Sequence, residues 1–313
     1  MNLMNNEKHY NTLNNYYQFK YQKKVFKVSL NGGFSCPNKD GKKGFGGCTY
    51  CSELGSGDFA GDINKSLPEQ FFEIKKMMEQ KWPDALYIPY FQANSNTYAD
   101  IKTLKEKYES VIHLDEKIVM LSISTRPDCL DDDIIAYLGE LNTKIPVQIE
   151  LGFQTSNEET IQAINRNCTN QEFERAIKLL RKQNIEVVVH IINGLPNETK
   201  DDMLNTIKYL NQFDYQGIKI HLLHIMKNTK MGEDYLKNPF KTLTLNEYVD
   251  IVTEQIRILK PNIIIHRLTG DAPRDLLIEP LWSLKKFVVM NEIDKEMRKK
   301  NAYQGDHYNG QSS

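Results

Sequence analysis

The sequence lacks any long hydrophobic run. No stretch approaches the ~20 apolar residues that a membrane-spanning helix requires, and the mean hydropathy is -0.55. The first residues also lack the apolar core of a secretory signal. We therefore expect a cytoplasmic protein with no membrane partner. With 313 residues, 40% of them hydrophobic, the chain is long enough to bury a core without help from disulfides or metal.

Cysteine and net charge are also scarce. Five cysteines in 313 residues, an odd number, argue against a disulfide framework. A formal net charge of -1 gives no overall electrostatic footprint for nucleic acid. Cys129 and Cys168 stand alone in the sequence, and we expect each to be a buried free cysteine. Cys36, Cys48 and Cys51, in contrast, fall within one short glycine-rich segment.

Short β-branched runs alternate with segments of helical periodicity. The predicted strands are 25–30, 85–91, 117–124, 147–151, 185–192, 217–223 and 262–266. Three helices between them are predicted to begin at capping boxes: Ser66 with Glu69, Ser156 with Glu159, and Thr244 with Glu247. Such alternation predicts an α/β fold with a parallel sheet, either open or closed into a partial barrel.

One face of these strands is repeatedly polar, whereas a closed barrel fills its interior with apolar side chains. The polar positions are Ser122, Ser124, Gln148, Glu150, His190, Lys219 and His221. They predict an open, wet barrel that holds a polar ligand. The alternative is that these side chains face solvent at strand ends.

The cysteine segment follows the first strand, where a βα barrel carries its active face. Its pattern is Cys-x11-Cys-x2-Cys, and its glycines allow the backbone to wrap a compact inorganic group. Three thiolates are too few to close a zinc site or a 4Fe–4S cluster, so one coordination position stays open. Zinc completed by a distant histidine, such as His9, is an alternative that the spacing leaves open.

Several motifs together resemble the radical S-adenosylmethionine (SAM) superfamily, and within it the YtqA/YhcC-like group with its enlarged first cysteine spacing. They are CPNKDG (36–41), GGCTYC (46–51), ISTRPDCL (123–130), ELGFQT (150–155), HIINGLPNET (190–199), KIHLLH (219–224), HRLTGD (266–271) and LIEPLW (277–282). The resemblance implies a partial (β/α)6 barrel over 25–240. An N-terminal extension, 1–24, precedes it, and a C-terminal extension, 241–313, completes the substrate face.

The resemblance also implies a site. Cys36, Cys48 and Cys51 would hold a 4Fe–4S cluster whose remaining iron binds the amino and carboxylate groups of SAM. The cofactor contacts that it implies are Tyr50 and Gln92, then Glu150 and Gln154 on the fourth strand, Arg166 on the following helix, and Gly194 and Pro196. Arg166 has an alternative role as a solvated helix-end cation.

Two features of the sequence leave the substrate side open. Relatives often read Asn-Arg-Gly-His after the fourth strand, but this chain has Asn165-Arg166-Asn167-Cys168. That change leaves any contact from the last position in doubt. No catalytic residue is identified, and the candidates at the barrel mouth are His221, His224, His266 and Arg267.

The resemblance implies reductive cleavage of SAM to a deoxyadenosyl radical, with a reductant such as flavodoxin or ferredoxin. MnmL-type members of the group are associated with the wobble uridine of tRNA. They are implicated in converting 5-carboxymethylaminomethyl-(2-thio)uridine to 5-aminomethyl-(2-thio)uridine, before a separate methyltransferase acts. Basic segments at 20–27 and 295–300 are candidate RNA contacts, or ordinary solvated faces. The alternatives are a radical SAM enzyme acting on a small metabolite or peptide, and a zinc-stabilised RNA-binding module without turnover.

Overall fold

A curled sheet of parallel strands forms the centre of the molecule. The computed structural model describes residues 3–4, 7–52, 55 and 57–310. Seven strands of the sheet lie in the order β1-β2-β3-β4-β5-β6-β8, and every neighbouring pair is parallel. The predicted α/β partial barrel is therefore confirmed. Its seventh strand, β8, comes from the segment that we predicted to be a C-terminal extension.

The seven parallel strands are β1 (Val25–Leu30), β2 (Leu86–Phe91), β3 (Leu121–Thr125), β4 (Val147–Gln154), β5 (Glu186–Asn193), β6 (Gly217–Leu222) and β8 (Ile264–Arg267). A separate antiparallel pair joins β7 (Ile225–Met226) to β9 (Leu277–Glu279). The helices are α1 (Leu13–Tyr21), α2 (Leu67–Glu79), α3 (Ile101–Ile112), α4 (Asp132–Lys144), α5 (Glu158–Ala163), α6 (Asn170–Lys182), α7 (Lys200–Leu210), α8 (Lys230–Lys237), α9 (Leu245–Ile258) and α10 (Lys286–Lys299).

Side-chain caps fix where most of these helices begin. The capping boxes predicted at Ser66 and Thr244 are present at the starts of α2 and α9. The box predicted at Ser156 is wrong, because the side chain of Asn157 caps α5 instead. The Ser156 hydroxyl lies 3.2 Å from the hydroxyl of Thr206, and so is engaged elsewhere. Two further boxes, at the starts of α6 and α7, escaped the prediction.

The apolar face of the strands packs against the helices, as the alternation predicts. Val28, Ile123, Ile149, Val189 and Ile220 are all buried in one core cluster. Each such side chain contributes roughly 1.5–3 kcal/mol by leaving water. The helices therefore cover the outside of the curled sheet, and the polar phase of the strands is left to face the inside.

The N- and C-terminal segments meet at the β8 edge of the sheet. The Ile265 amide donates to the Asn11 carbonyl (2.8 Å), and the Asn11 amide donates to the side chain of Gln304 (2.9 Å). The Gln304 amide group then donates to the carbonyl of Ile263 (2.8 Å). Asn11 and Gln304 are both buried. One buried glutamine thus ties the two ends of the chain to the last strand.

Among the described residues, no helix combines the length and apolarity needed to cross a bilayer. The division into 1–24, 25–240 and 241–313 stays a prediction, although β1 does begin at Val25.

Candidate active site

A cavity of about 480 Å³ opens at the carboxyl ends of the parallel strands. Ten of the predicted site residues line it: Cys36, Cys48, Tyr50, Cys51, Gln92, Gln154, Arg166, His221, His224 and Arg267. Glu150, Gly194, Pro196 and His266 do not. The sheet therefore brings together residues from almost every strand-to-helix connection that the sequence marked.

The cysteine segment between β1 and α2 is held by a set of asparagines. The buried Asn38 side chain donates to the Asn165 carbonyl (2.6 Å), and Asn167 donates to the Asn38 side-chain oxygen (2.7 Å). Asn165 donates in turn to the Gly47 carbonyl (2.7 Å). A Cβ at Gly44 would lie 2.4 Å from the Asn38 oxygen, so only glycine fits there. The segment that carries Arg166 thus also fixes the cysteine loop.

Hydrogen-bond donors surround the thiol of Cys48. Its Sγ lies 3.7 Å from the Asn38 amide nitrogen and 4.0 Å from the Arg126 guanidinium. A hydrogen bond from the Cys51 thiol, together with the charge of Arg126, lowers the pKa of Cys48 to about 6 even though burial opposes it. A thiolate, the form that ligates metals, is therefore favoured at Cys48.

Arg166 is buried beside Cys168 and lines the same cavity as the loop cysteines. It lies in the connection between α5 and α6, not on the helix where we predicted it, and it is 1% exposed. Its guanidinium stacks over Phe153 (5.3 Å) and lies 3.9 Å from the Cys168 sulfur, while the Nη1 group finds no hydrogen-bond partner among the described residues. The alternative of a solvated cation is therefore wrong. A buried guanidinium with a spare donor is suited to an anionic ligand.

Polar and charged side chains at the middle of the strands form the floor of the cavity. This floor cluster consists of Lys27, Tyr90, Glu150, His190 and Lys219. Lys27 and Lys219 bind opposite oxygens of the Glu150 carboxylate. The Tyr90 hydroxyl donates to the same carboxylate (2.6 Å), and His190 Nε2 lies 2.9 Å from it. The predicted polar lumen is therefore present, and Glu150 is fully buried below the cavity lining.

Burial and mutual charge shift the titration of this floor cluster. Burial alone would raise the pKa of Glu150, but Lys219 and Lys27 hold it well below the usual range. Burial lowers the pKa of Lys219 to about 7 against the attraction of Glu150. Burial and the neighbouring Lys219 lower the pKa of His190 to about 4. Glu150 is thus ionised, and His190 is neutral.

Sequence models of two families match the chain. The radical SAM superfamily matches residues 41–210, and the radical SAM C-terminal domain matches residues 215–299. This chain belongs to the radical SAM superfamily. YtqA of Bacillus subtilis is 48% identical over 97% of this chain and 94% of its own length. YhcC of Escherichia coli is 34% identical over 88% of each chain.

More distant proteins share the radical SAM fold. The archaeal Methanocaldococcus infernus Elp3 structure superposes with a TM-score of 0.70 at 17% identity, covering 90% of this chain and 64% of that one. The tRNA-2-methylthio-N(6)-dimethylallyladenosine synthase of Clostridium botulinum is 26% identical over 66% of this chain, which spans 46% of that enzyme.

Radical SAM enzymes bind a 4Fe–4S cluster and SAM, and the cysteine loop fits such a group. A single zinc ion needs its ligands to converge on one point. In residues 3–4, 7–52, 55 and 57–310, no three Cys, His, Asp or Glu side chains are grouped closely enough for that. In a cluster each cysteine binds a separate iron. His9, the distant histidine of the zinc alternative, stacks on Tyr303 (4.5 Å) beyond the cavity lining.

The substrate-side candidates divide into two groups. His221 and His224 line the cavity, and the Nε2 atom of each is buried with no hydrogen-bond partner in the part of the chain that the structure describes. Arg267 also lines it, with Asp271 at 3.5 Å. His266 does not line the cavity; its ring lies against Gly217, where a Cβ would be 2.6 Å away, and burial and the charge of Lys27 hold its pKa well below the usual range. The roles of all four stay predictions.

Gly194 lines a second cavity, of about 550 Å³, together with Glu198 and Glu247. Its neighbour Leu195 packs in the apolar cluster that contacts Tyr50. The contact of Gly194 and Pro196 with adenine therefore stays a prediction, and Leu195 links their loop to Tyr50 through this apolar cluster.

Two cavity residues escaped the sequence analysis. Arg126 reaches Cys48 and is held by Asp128 at 2.9 Å. Lys27 was interpreted as part of a basic surface patch, yet it points into the barrel. Its alternation with the buried Val28 on β1 was the available signal, because Lys27 falls on the inward phase.

Proposed function

We propose that this radical SAM protein modifies the wobble uridine of tRNA, converting 5-carboxymethylaminomethyl-(2-thio)uridine to 5-aminomethyl-(2-thio)uridine. The observation that carries the proposal is a single cavity that joins three cysteine thiols to a cationic floor. The substrate side chain carries a carboxylate and a secondary amine, and a polar, charged pocket suits both. The five free cysteines agree with a reducing, cytoplasmic location.

The chain's own residues have distinct tasks in this proposal. Cys36, Cys48 and Cys51 hold the cluster, and Arg166 binds the SAM carboxylate with its spare donor. When bound, the cluster and SAM supply a one-electron cleavage that produces a hydrogen-abstracting radical. The floor residues position the uridine side chain, and the protein around them limits access of water. A flavodoxin or ferredoxin is the proposed reductant, and a tRNA methyltransferase acts on the product.

Support for RNA comes from family relationship rather than from surface charge. The Clostridium botulinum relative is named as a tRNA-modifying synthase. The two basic segments give less support than predicted. In the first, Lys27 lies inside the barrel. In the second, Lys295, Lys299 and Lys300 all pair with acidic side chains.

This neutralised surface favours a second candidate, a radical SAM enzyme acting on a small carboxylate-bearing metabolite. Such a substrate would need only the cavity and its floor. The two candidates share the cofactor residues and differ in whether tRNA changes in the cell.

The deciding experiment is nucleoside mass spectrometry of bulk tRNA from cells with and without the gene. We expect 5-carboxymethylaminomethyl-uridine to accumulate in the deletion strain, while the aminomethyl-derived product disappears. The wild-type gene should restore the product, and a Cys36→Ala variant should not. Unchanged wobble nucleosides, in a host that makes them, would contradict the tRNA substrate and favour the second candidate, a carboxylate-bearing metabolite.

A further inference from the structure

The floor of the cavity holds more positive than negative charge. Lys27 and Lys219 share one carboxylate, that of Glu150, and their side chains are 16% and 11% exposed. Among the described residues, neither lysine makes an ion pair with a second acid. Arg267, the strand neighbour of Lys219, shares Asp271 with Lys286. With both lysines protonated, the described floor carries one more positive than negative charge. Because the pKa of Lys219 is about 7, an anion in the cavity would favour this protonated form near neutral pH.

Unused hydrogen-bonding groups face the same space. His221 and His224 line the cavity, and the Nε2 atom of each is buried with no hydrogen-bond partner among the described residues. A buried polar atom without a partner and a buried excess charge both destabilise the ligand-free protein. Both costs fall if a bound anion receives these donors.

We propose that the floor is a carboxylate-binding subsite for the substrate, in which Lys219 contacts the carboxylate and Arg267 lies at its entrance. Lys27 adds positive charge beside them, because its three donors already bind Ser122, Gln148 and Glu150. The existence of the subsite rests on this geometry alone. Its assignment to the carboxymethyl group of the wobble side chain rests on the proposed function. Binding here makes Lys219 a residue that determines specificity, because a substrate without the carboxylate leaves the charge uncompensated.

SAM has a carboxylate of its own, which is the other source of an anion in this cavity. Arg166 provides a separate position for it, because its neighbours Asn165 and Asn167 hydrogen-bond to the cysteine loop at Gly47 and Asn38. Arg166 therefore belongs to the cysteine side of the cavity, whereas the lysines belong to the middle of β1 and β6. Two cationic positions match two anions, one from SAM and one from the substrate.

The first test compares two ligands in the cluster-containing protein. The variant is Lys219→Met, with Lys102→Met on the exposed side of α3 as the matched control. The cavity variant leaves Lys27 paired with Glu150, so the charges of the floor are balanced and the fold should be retained. Filter binding measures tRNA carrying carboxymethylaminomethyl-uridine and the same tRNA carrying aminomethyl-uridine, and equilibrium dialysis measures SAM.

We expect Lys219→Met to weaken binding of the carboxylated tRNA at least tenfold. The aminomethyl tRNA and SAM should change less than twofold, and Lys102→Met should change nothing. Weaker SAM binding with unchanged tRNA discrimination would assign the anion to SAM and overturn the proposal. Equal binding of all three ligands by the variant and the wild type would overturn it as well.

The second test does not depend on tRNA. N-methylglycine reproduces the carboxymethylamino group, and dimethylamine reproduces the same group without its carboxylate. We expect N-methylglycine, but not dimethylamine, to slow acetylation of Lys219 by acetic anhydride at least threefold, as followed by peptide mass spectrometry, with Lys102 as the internal reference. Equal protection by both compounds, or by neither, would overturn the subsite. Protection by N-methylglycine alone would uphold it even if wobble nucleosides proved unchanged in the deletion strain.

Discussion

The cavity has two sides that are built in different ways. The cysteine side consists of loops, and its residues lie close together in sequence, from Cys36 to Cys51 and from Asn165 to Cys168. The floor consists of single side chains from separate strands, with Lys27 and Lys219 meeting at Glu150. The cysteine side is adapted to hold a cofactor, and the floor is adapted to charge. The cofactor side of the cavity therefore depends on short local motifs, whereas the charged floor depends on the tertiary fold that brings separate strands together.

The first prediction has the largest effect and tests the cysteine side by the iron content of the protein. Cys48→Ala should remove most of the bound iron and the visible absorption of the anaerobically purified protein, because one of three cluster ligands is lost. Cys129→Ala is the control, since that thiol is buried outside the cavity lining. Full iron content in the Cys48 variant would remove this cysteine from the cluster.

The second prediction concerns the fold and acts on the floor alone. Glu150→Gln removes the only carboxylate that either floor lysine pairs with among the described residues, which leaves two buried cations unpaired. We expect a loss of about 3–5 kcal/mol in the free energy of unfolding, measured by denaturant titration. The control is Glu140→Gln, whose exposed pair with Lys144 should contribute less than about 1 kcal/mol. Similar losses in both variants would contradict the special role of the floor.

The third prediction returns to the cysteine side. Arg166→Met should raise the dissociation constant for SAM about 10- to 100-fold, the equivalent of roughly 1.5–3 kcal/mol for a charge-assisted hydrogen bond. Equilibrium dialysis measures this, with Arg175→Met as the partly exposed control. Weaker SAM binding in Lys219→Met, with unchanged binding in Arg166→Met, would contradict this assignment and place the SAM carboxylate at the floor.

The last prediction, with the smallest effect, concerns the carboxylate of Glu198, which lies outside both sides of the active-site cavity. Burial raises the pKa of Glu198 from 4.5 to about 7 against the hydrogen bonds from Thr155 and Thr160, whereas Lys219 and Lys27 hold the pKa of Glu150 low. Since the folded form binds the extra proton, Glu198 lowers stability progressively as pH rises from about 4.5 through 7. Glu198→Gln should therefore gain about 1–3 kcal/mol over the wild type at pH 8 and nothing at pH 4. A pH-independent difference would contradict this assignment.

The same contrast explains how much the sequence predicted. The strands and the cysteine motif could be predicted, because periodicity and spacing are local properties. The inward phase at Ser122, Glu150 and Lys219 was also correct. The location of Arg166 was not, because α5 ends at Ala163 and leaves the arginine in a buried connection. Lys27 was assigned to the surface because its partners come from strands distant in sequence.

The tie made by Gln304 has a consequence for the order of folding. At the β8 edge the Ile265 amide donates to the Asn11 carbonyl, and the Gln304 side chain donates to the Ile263 carbonyl. Residues 11 and 304 are separated by almost the whole chain. Contacts of such large sequence separation form late, because a long loop must close before they are gained. The segment around Asn11 pairs with β8 directly, but Asn11 is itself held by the side chain of Gln304. The β8 edge therefore gains its full set of hydrogen bonds only when residues 11 and 304 have docked together, which couples the two extensions during folding.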